Sequence, residues 1–125
     1  KIPSNARLAV GGKSMGGRVA SMVLEDSQAD GLVCLGYPFH PPGKPEKLRV
    51  EHLLEIRKNV LIVQGERDTF GKRDEVVQYN LPSHFHMAWM TDGDHGFKPR
   101  KASGRTEEEN WNEAIRVIRE FLAKV

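Results

Sequence analysis

The apolar positions along the chain alternate between short runs of strand length and longer stretches with helical spacing. Residues 6–11, ARLAVG, read as a strand ending in glycines, and residues 31–36, GLVCLG, as a second apolar run closed by glycine at both ends. Residues 59–64, NVLIVQ, predict a third strand that stops at Gly65, and residues 84–91, HFHMAWMT, a fourth. Between them, residues 15–27 read as a helix with Met15, Val19, Met22 and Val23 at helical spacing. Residues 48–57 suit a short helix carrying Leu53, Leu54 and Ile56, and residues 72–80 another with Val76, Val77 and Tyr79. The last helix is the clearest. Thr106, three positions before Glu109, makes a capping box, and Trp111, Ala114, Ile115, Ile118, Phe121, Leu122 and Val125 mark one apolar stripe. The segment YPFHPPGKPEK places four prolines in residues 37–47. Proline disrupts helix interiors and central strands, so this reads as an ordered loop.

The order is strand, helix, repeated four times. Helical crossovers return the chain along the sheet, which implies parallel pairing and an α/β fold of about four strands with flanking helices. The runs VCL and VLIV suit strands covered on both faces. In an open sheet of this kind ligands bind beyond the carboxyl ends of the strands. The segments after residues 11, 36, 65 and 91 are therefore where chemistry is expected.

Composition narrows the function classes. A chain of 125 residues is one domain at most. Its formal net charge of +2 is too weak to indicate a nucleic acid or an anionic membrane as partner. No apolar run approaches the roughly 20 residues that span a bilayer. The single cysteine, Cys34, excludes an intramolecular disulfide and a Cys-rich zinc site. The opening KIPSNAR lacks the apolar core of a signal peptide, so a cytoplasmic location is expected.

The segment after the first strand contains Gly12-Lys13-Ser14-Met15-Gly16, a G-x-S-x-G between a strand and a helix. That context is what a nucleophile elbow requires. The serine sits on a sharp turn above the sheet, and side chains two residues before and after it would collide, so glycine is expected at Gly12 and Gly16. The helix N-terminus points at the reaction centre, where the Met15 backbone N–H can stabilise an oxyanion. A phosphate-binding reading of Gly12-Lys13-Ser14 fails, because position 7, where a P-loop needs glycine, is Arg7. A serine needs a base, and the base an orienting acid. Asp68 follows the third strand and His95 the fourth, which gives the order Ser…Asp…His at three strand ends. Glu66 rivals Asp68 as the acid.

These segments carry a resemblance. VGGKSMGGRVAS, LGYPFHPPGKPEKLR, VLIVQGERDTFG and DGDHGFKPRKASGRT, spread over residues 10–106, are similar to those of α/β-hydrolases. The chain resembles the small, lidless, dienelactone-hydrolase-like kind, and most closely the branch of predicted hydrolases that includes testis-expressed hydrolase-like proteins. The resemblance implies Ser14 as nucleophile, His95 as general base and acid, Asp68 as its orienting partner and Met15 N–H as half of an oxyanion hole. It implies no metal or organic cofactor, and a serine hydrolase acting on small ester or related acyl substrates. A non-catalytic scaffold that binds a protein partner is the alternative. Residues 1–125 resemble the carboxyl-terminal part of one such domain, with the nucleophile strand near the start. The strand at residues 6–11 is then expected to offer an unpaired edge through which another polypeptide can pair.

The other candidates are weaker. His40, in the Pro-rich loop, suits a substrate contact or loop packing. His84 and His86 share a strand face but lack a third ligand, so surface positions are expected. Asp92 and Asp94 read as turn residues shaping the loop around His95. Lys98, Arg100, Lys101 and Arg105 form a basic stretch that could favour an anionic substrate, though a solvated loop before the last helix is the better explanation. Cys34 reads as a buried inert thiol, and Met15, Met22, Met87 and Met90 as core filler.

Overall fold

The computed structural model describes residues 6–125. Four strands, β1 (Ala9–Lys13), β2 (Gly31–Leu35), β3 (Asn59–Gly65) and β4 (Phe85–Met90), form one parallel sheet in the order β1-β2-β3-β4. The register sets Gly12 opposite Cys34, Cys34 opposite Ile62 and Ile62 opposite Met87. Among the described residues β1 has β2 as its one neighbour, so its other edge is unpaired.

Side chains alternate across a strand, and so the sheet has two cores. Leu32, Cys34, Val60 and Ile62 pack on one face with Leu24, Leu53, Ile56 and Val76. Those four come from the helix α1 (Met15–Val23) and its end, a 3-10 turn (Glu51–Glu55) and its end, and the short α2 (Arg73–Val76). Val33, Leu61, Val63 and Met90 pack on the other face with Phe97, Ala114 and Phe121. The helix α3 (Glu107–Lys124) covers that face. Its capping box forms as expected: Thr106 Oγ1 accepts from the Glu109 N–H, and the Glu109 carboxylate accepts from the Thr106 N–H.

Several expectations are corrected. The second helical segment is a 3-10 turn of five residues. The segment at 72–80 keeps one helical turn, Arg73–Val76. The apolar positions of α1 do not face the sheet: Met15, Val19, Met22 and Val23 are 48–55% exposed. The buried face of α1 is Gly17 and Ser21 instead. Small residues let the helix axis approach the strands, and a Cβ at Gly17 would lie 2.8 Å from the Gly12 carbonyl oxygen. Met15 and Met22 are thus surface residues, whereas Met90 lies in the core beneath α3 and Met87 packs against the core on the opposite face. On α3, Ile115 and Leu122 lie outside the buried stripe, and Asn110 lies within it.

Candidate active site

Ser14 occupies the junction between β1 and α1 with a positive φ, φ 52° and ψ −120°. Few residues other than glycine adopt this region, and such strain persists where surrounding structure enforces it. Two contacts enforce it here. The Ser14 N–H donates to the Leu35 carbonyl across the sheet at 2.8 Å. Gly12 also passes so close to the first turn of α1 that a Cβ there would lie 2.4 Å from the Gly16 carbonyl carbon. Gly16 itself faces open space, with nothing within 4 Å of a built Cβ, so the expected steric need at that glycine is not met; Gly17 carries it.

Ser14 is the N-cap of α1, yet its hydroxyl makes no capping bond. It meets His95 instead. The Ser14 Oγ lies 2.9 Å from His95 Nε2, and His95 Nδ1 lies 2.7 Å from Asp68 Oδ2. Asp68 is fully buried, and its second oxygen accepts from the Phe70 N–H at 2.8 Å. Both carboxylate oxygens are therefore directed, and the one facing the ring favours the tautomer with its proton on Nδ1. The His95 side chain keeps 28% of its surface exposed, so the site is open to solvent. Met15 begins α1 and its N–H is among the first-turn donors that have no intrahelical acceptor.

The His95 loop is built for one shape. Asp94 Oδ1 accepts from the N–H groups of Gly96 and Lys98, both at 2.9 Å. Asp92, with φ 53°, accepts from the Arg100 side chain and backbone N–H, and these bonds, the side chain's first, hold its carboxyl down to about 2. Glu66 does not touch His95. One of its oxygens accepts from the Asp92 N–H and the other from Arg73. Asp68, then, and not Glu66, faces the imidazole.

His40 is buried, with its ring nitrogens against the Pro41 carbonyl and Glu75. Of the two parts expected for it, substrate contact or loop packing, this geometry matches the second, for its polar atoms hold the Pro-rich loop to α2. His84 and His86 are exposed; the first bonds the Ile56 carbonyl and the second stacks edge-on against Phe121. Cys34 is buried, which pushes its thiol up to about 12. Of the basic stretch, Arg100 is bound to Asp92 and Arg105 to Asn110, so both shape the loop.

Three residues beside His95 escaped sequence reasoning. Gly36, at φ +69°, leaves room for the ring, since a Cβ there would lie 3.0 Å from His95 Cε1. Gly65 does the same for the His95 loop, where a Cβ would lie 2.1 Å from the Asp94 carbonyl oxygen. Phe70 stacks on the imidazole with centroids 4.4 Å apart. The glycine that closes each of these strands was the available signal.

A parallel sheet with helices on both faces, bearing Ser14, Asp68 and His95 at the ends of β1, β3 and β4, defines the α/β-hydrolase class of architecture. The alpha/beta hydrolase domain family matches residues 2–123, and the chain belongs to that family. Solved structures agree on the fold. An esterase of Pyrococcus furiosus is 21% identical with a TM-score of 0.63, over 94% of this chain and 54% of its own. An alpha-beta serine hydrolase homologue from Coxiella burnetii is 17% identical with a TM-score of 0.63, over 98% of this chain and 50% of its own. An esterase domain from Rhodothermus marinus is 15% identical with a TM-score of 0.53, over 70% of this chain and 50% of its own. The chain thus spans about half the length of these structures. No helix among the described residues is long and apolar enough to cross a membrane.

Proposed function

We propose that this chain carries the nucleophile, base and acid of a serine hydrolase that acts on esters or related acyl compounds. The observation that carries this reading is the hydrogen-bonded line from Ser14 Oγ through His95 to Asp68, at 2.9 and 2.7 Å. His95 Nε2 takes the Ser14 proton as Oγ attacks the carbonyl carbon, and Asp68 orients the ring and stabilises the imidazolium. The Met15 N–H faces the oxygen that gains charge. The C–O bond to the leaving alcohol breaks as His95 returns the proton to it. Water, deprotonated by His95, then attacks the acyl-enzyme and releases the acid.

Treatment of the intact protein with a fluorophosphonate tests this. Stoichiometric labelling of Ser14 is expected, lost in Ser14→Ala and nearly lost in His95→Ala, because the two act as a unit. An unlabelled, folded protein overturns the reading and favours the non-catalytic scaffold.

A further inference from the structure

Among the described residues the cation one helical turn beyond Ser14 has no counter-charge. Arg18 lies one turn along α1, where its backbone N–H donates to the Ser14 carbonyl at 3.2 Å. Its guanidinium runs back toward Met15, with Nη1 4.0 Å from the Met15 sulfur. The Nε of Arg18 is buried without any hydrogen-bond partner, the one such side-chain nitrogen or oxygen among the described residues. Sealing a donor of a permanently charged group away from water, unpaired, costs free energy that native structures rarely leave uncompensated.

Arg7, Arg67, Arg73, Arg100 and Arg116 each have a carboxylate within 4.0 Å. Among the described residues Arg49, Arg57, Arg105 and Arg119 lack a carboxylate partner, as Arg18 does, but Arg18 is the arginine whose buried Nε is left without a bond. The nearest polar side chains do not supply one. Ser21 donates its hydroxyl to the Arg18 carbonyl at 2.6 Å and meets His52 Nε2 at 2.8 Å, while Tyr37 donates to the Arg49 carbonyl at 2.9 Å. His52 is held below its ordinary range by burial and then by the Arg18 charge itself. Asp68 is committed to His95. Of the basic stretch after His95, which sequence reading marked as a possible anion site, Arg100 and Arg105 are bound within their own loop. Among the described residues Lys13 and Lys98 are unpaired too, but Lys13 lies at the exposed surface, whereas the guanidinium of Arg18 is partly buried beside Met15.

We propose that Arg18 selects the substrate: its guanidinium receives a carboxylate carried by the acyl compound, so that the Ser14 site prefers anionic esters to neutral ones. This rests on the reading of Ser14 as nucleophile. Arginine suits the task because it stays charged at all working pH values and its planar donors match a carboxylate.

Two measurements test the proposal. The first compares turnover of monomethyl succinate with dimethyl succinate in the intact protein. Arg18→Gln is expected to lower kcat/KM for the anionic ester about 10- to 100-fold, the worth of one hydrogen bond to a charged group, and to leave the neutral ester within about twofold. Arg18→Lys, which keeps the charge but not the fork, is expected to recover part of the preference. Equal losses on both esters, or an unchanged ratio, overturn the proposal and make Arg18 a packing residue. The second needs no turnover. In Ser14→Ala the buried Arg18 Nε–H proton–nitrogen signal is expected to shift saturably with monomethyl succinate and not with dimethyl succinate; a response to both or to neither overturns the proposal. If fluorophosphonate leaves Ser14 unlabelled and neither ester is hydrolysed, the serine-hydrolase reading fails. The Arg18 titration then decides the anion site by itself, as it does if Arg18→Gln does not fold.

Discussion

Adding one methyl group at Gly12 tests how the nucleophile turn is held. An alanine Cβ at this position would lie 2.4 Å from the Gly16 carbonyl carbon, 2.5 Å from the Gly17 nitrogen and 2.7 Å from the Gly16 oxygen. All three are backbone atoms of the first turn of α1, so no side chain can swing aside. Relief requires α1 to retreat by about 1 Å, to the 3.5–4.0 Å of ordinary contact. Overpacking of this kind costs roughly 1–3 kcal/mol. The retreat also carries Ser14 away from His95, and a misplacement of about 1 Å slows a positioned reaction by about 10²-fold. Gly16→Ala is the matched control: it lies two residues beyond Ser14 in the same motif, but nothing stands within 4 Å of its Cβ. A glycine-to-alanine change inside a helix stabilises by up to about 1 kcal/mol. Urea unfolding gives the stability of each variant, and the rate of fluorophosphonate labelling gives the reactivity of Ser14. Gly12→Ala is expected to lose on both counts and Gly16→Ala on neither. If the two variants behave alike, the packing account of the elbow is wrong.

Other expectations follow from the site and its supports. Asp68→Asn should slow labelling of Ser14 by about 10²–10⁴-fold by leaving His95 in the wrong tautomer, with Glu66→Gln much milder; the reverse order in labelling kinetics would assign the acid to Glu66. Asn110, fully buried, donates to the Thr91 and Phe97 carbonyls at 3.0 and 2.9 Å. Asn110→Leu strands both acceptors and should cost about 2–4 kcal/mol in urea unfolding; a loss under about 0.5 kcal/mol contradicts the bonding described. The Asp92 carboxyl, brought from 3.8 to about 2 by bonds from the Arg100 side chain and then its backbone, should titrate at that depressed midpoint in carbon-detected NMR. Because its folded value is the lower one, its stabilising effect is complete above the ordinary value and disappears as pH falls through the depressed one. Arg100→Gln should return the midpoint toward 3.8, and a midpoint already there in the unaltered protein contradicts the pairing.

The four strands and the capped α3 were legible because each is a local pattern: an apolar run stopped by glycine, or a Thr106–Glu109 box ahead of a helical stripe. The positions of Ser14, Asp68 and His95 were legible because the topology of a parallel sheet collects strand ends on one side. The orientation of α1 was not. Hydrophobic spacing at Met15, Val19 and Met22 pointed inward, but the helix buries its small residues and turns the large ones outward. Periodicity reports that an apolar face exists and is silent on whether close packing by Gly17 and Ser21 outweighs it. His40 and Arg18 were illegible for a related reason. What decides their parts is the partner each finds or lacks, Glu75 at 35 residues' distance for the first and, among the described residues, no bond to a buried Nε for the second.

Ser14 and His95 are separated by 81 residues along the chain, and their hydrogen bond closes over all four strands. Contacts of such long separation form late, because the intervening loops must be ordered first. During synthesis Ser14 leaves the ribosome well before His95 exists. Until β4 docks on β3 its hydroxyl is an ordinary alcohol in a chain that has no base to activate it. On the proposed reading, Ser14 of the nascent protein is inert toward a fluorophosphonate, and its reactivity arrives with the closing of the sheet. The rate at which a refolding sample becomes acylable then clocks the final step of assembly and not the first collapse.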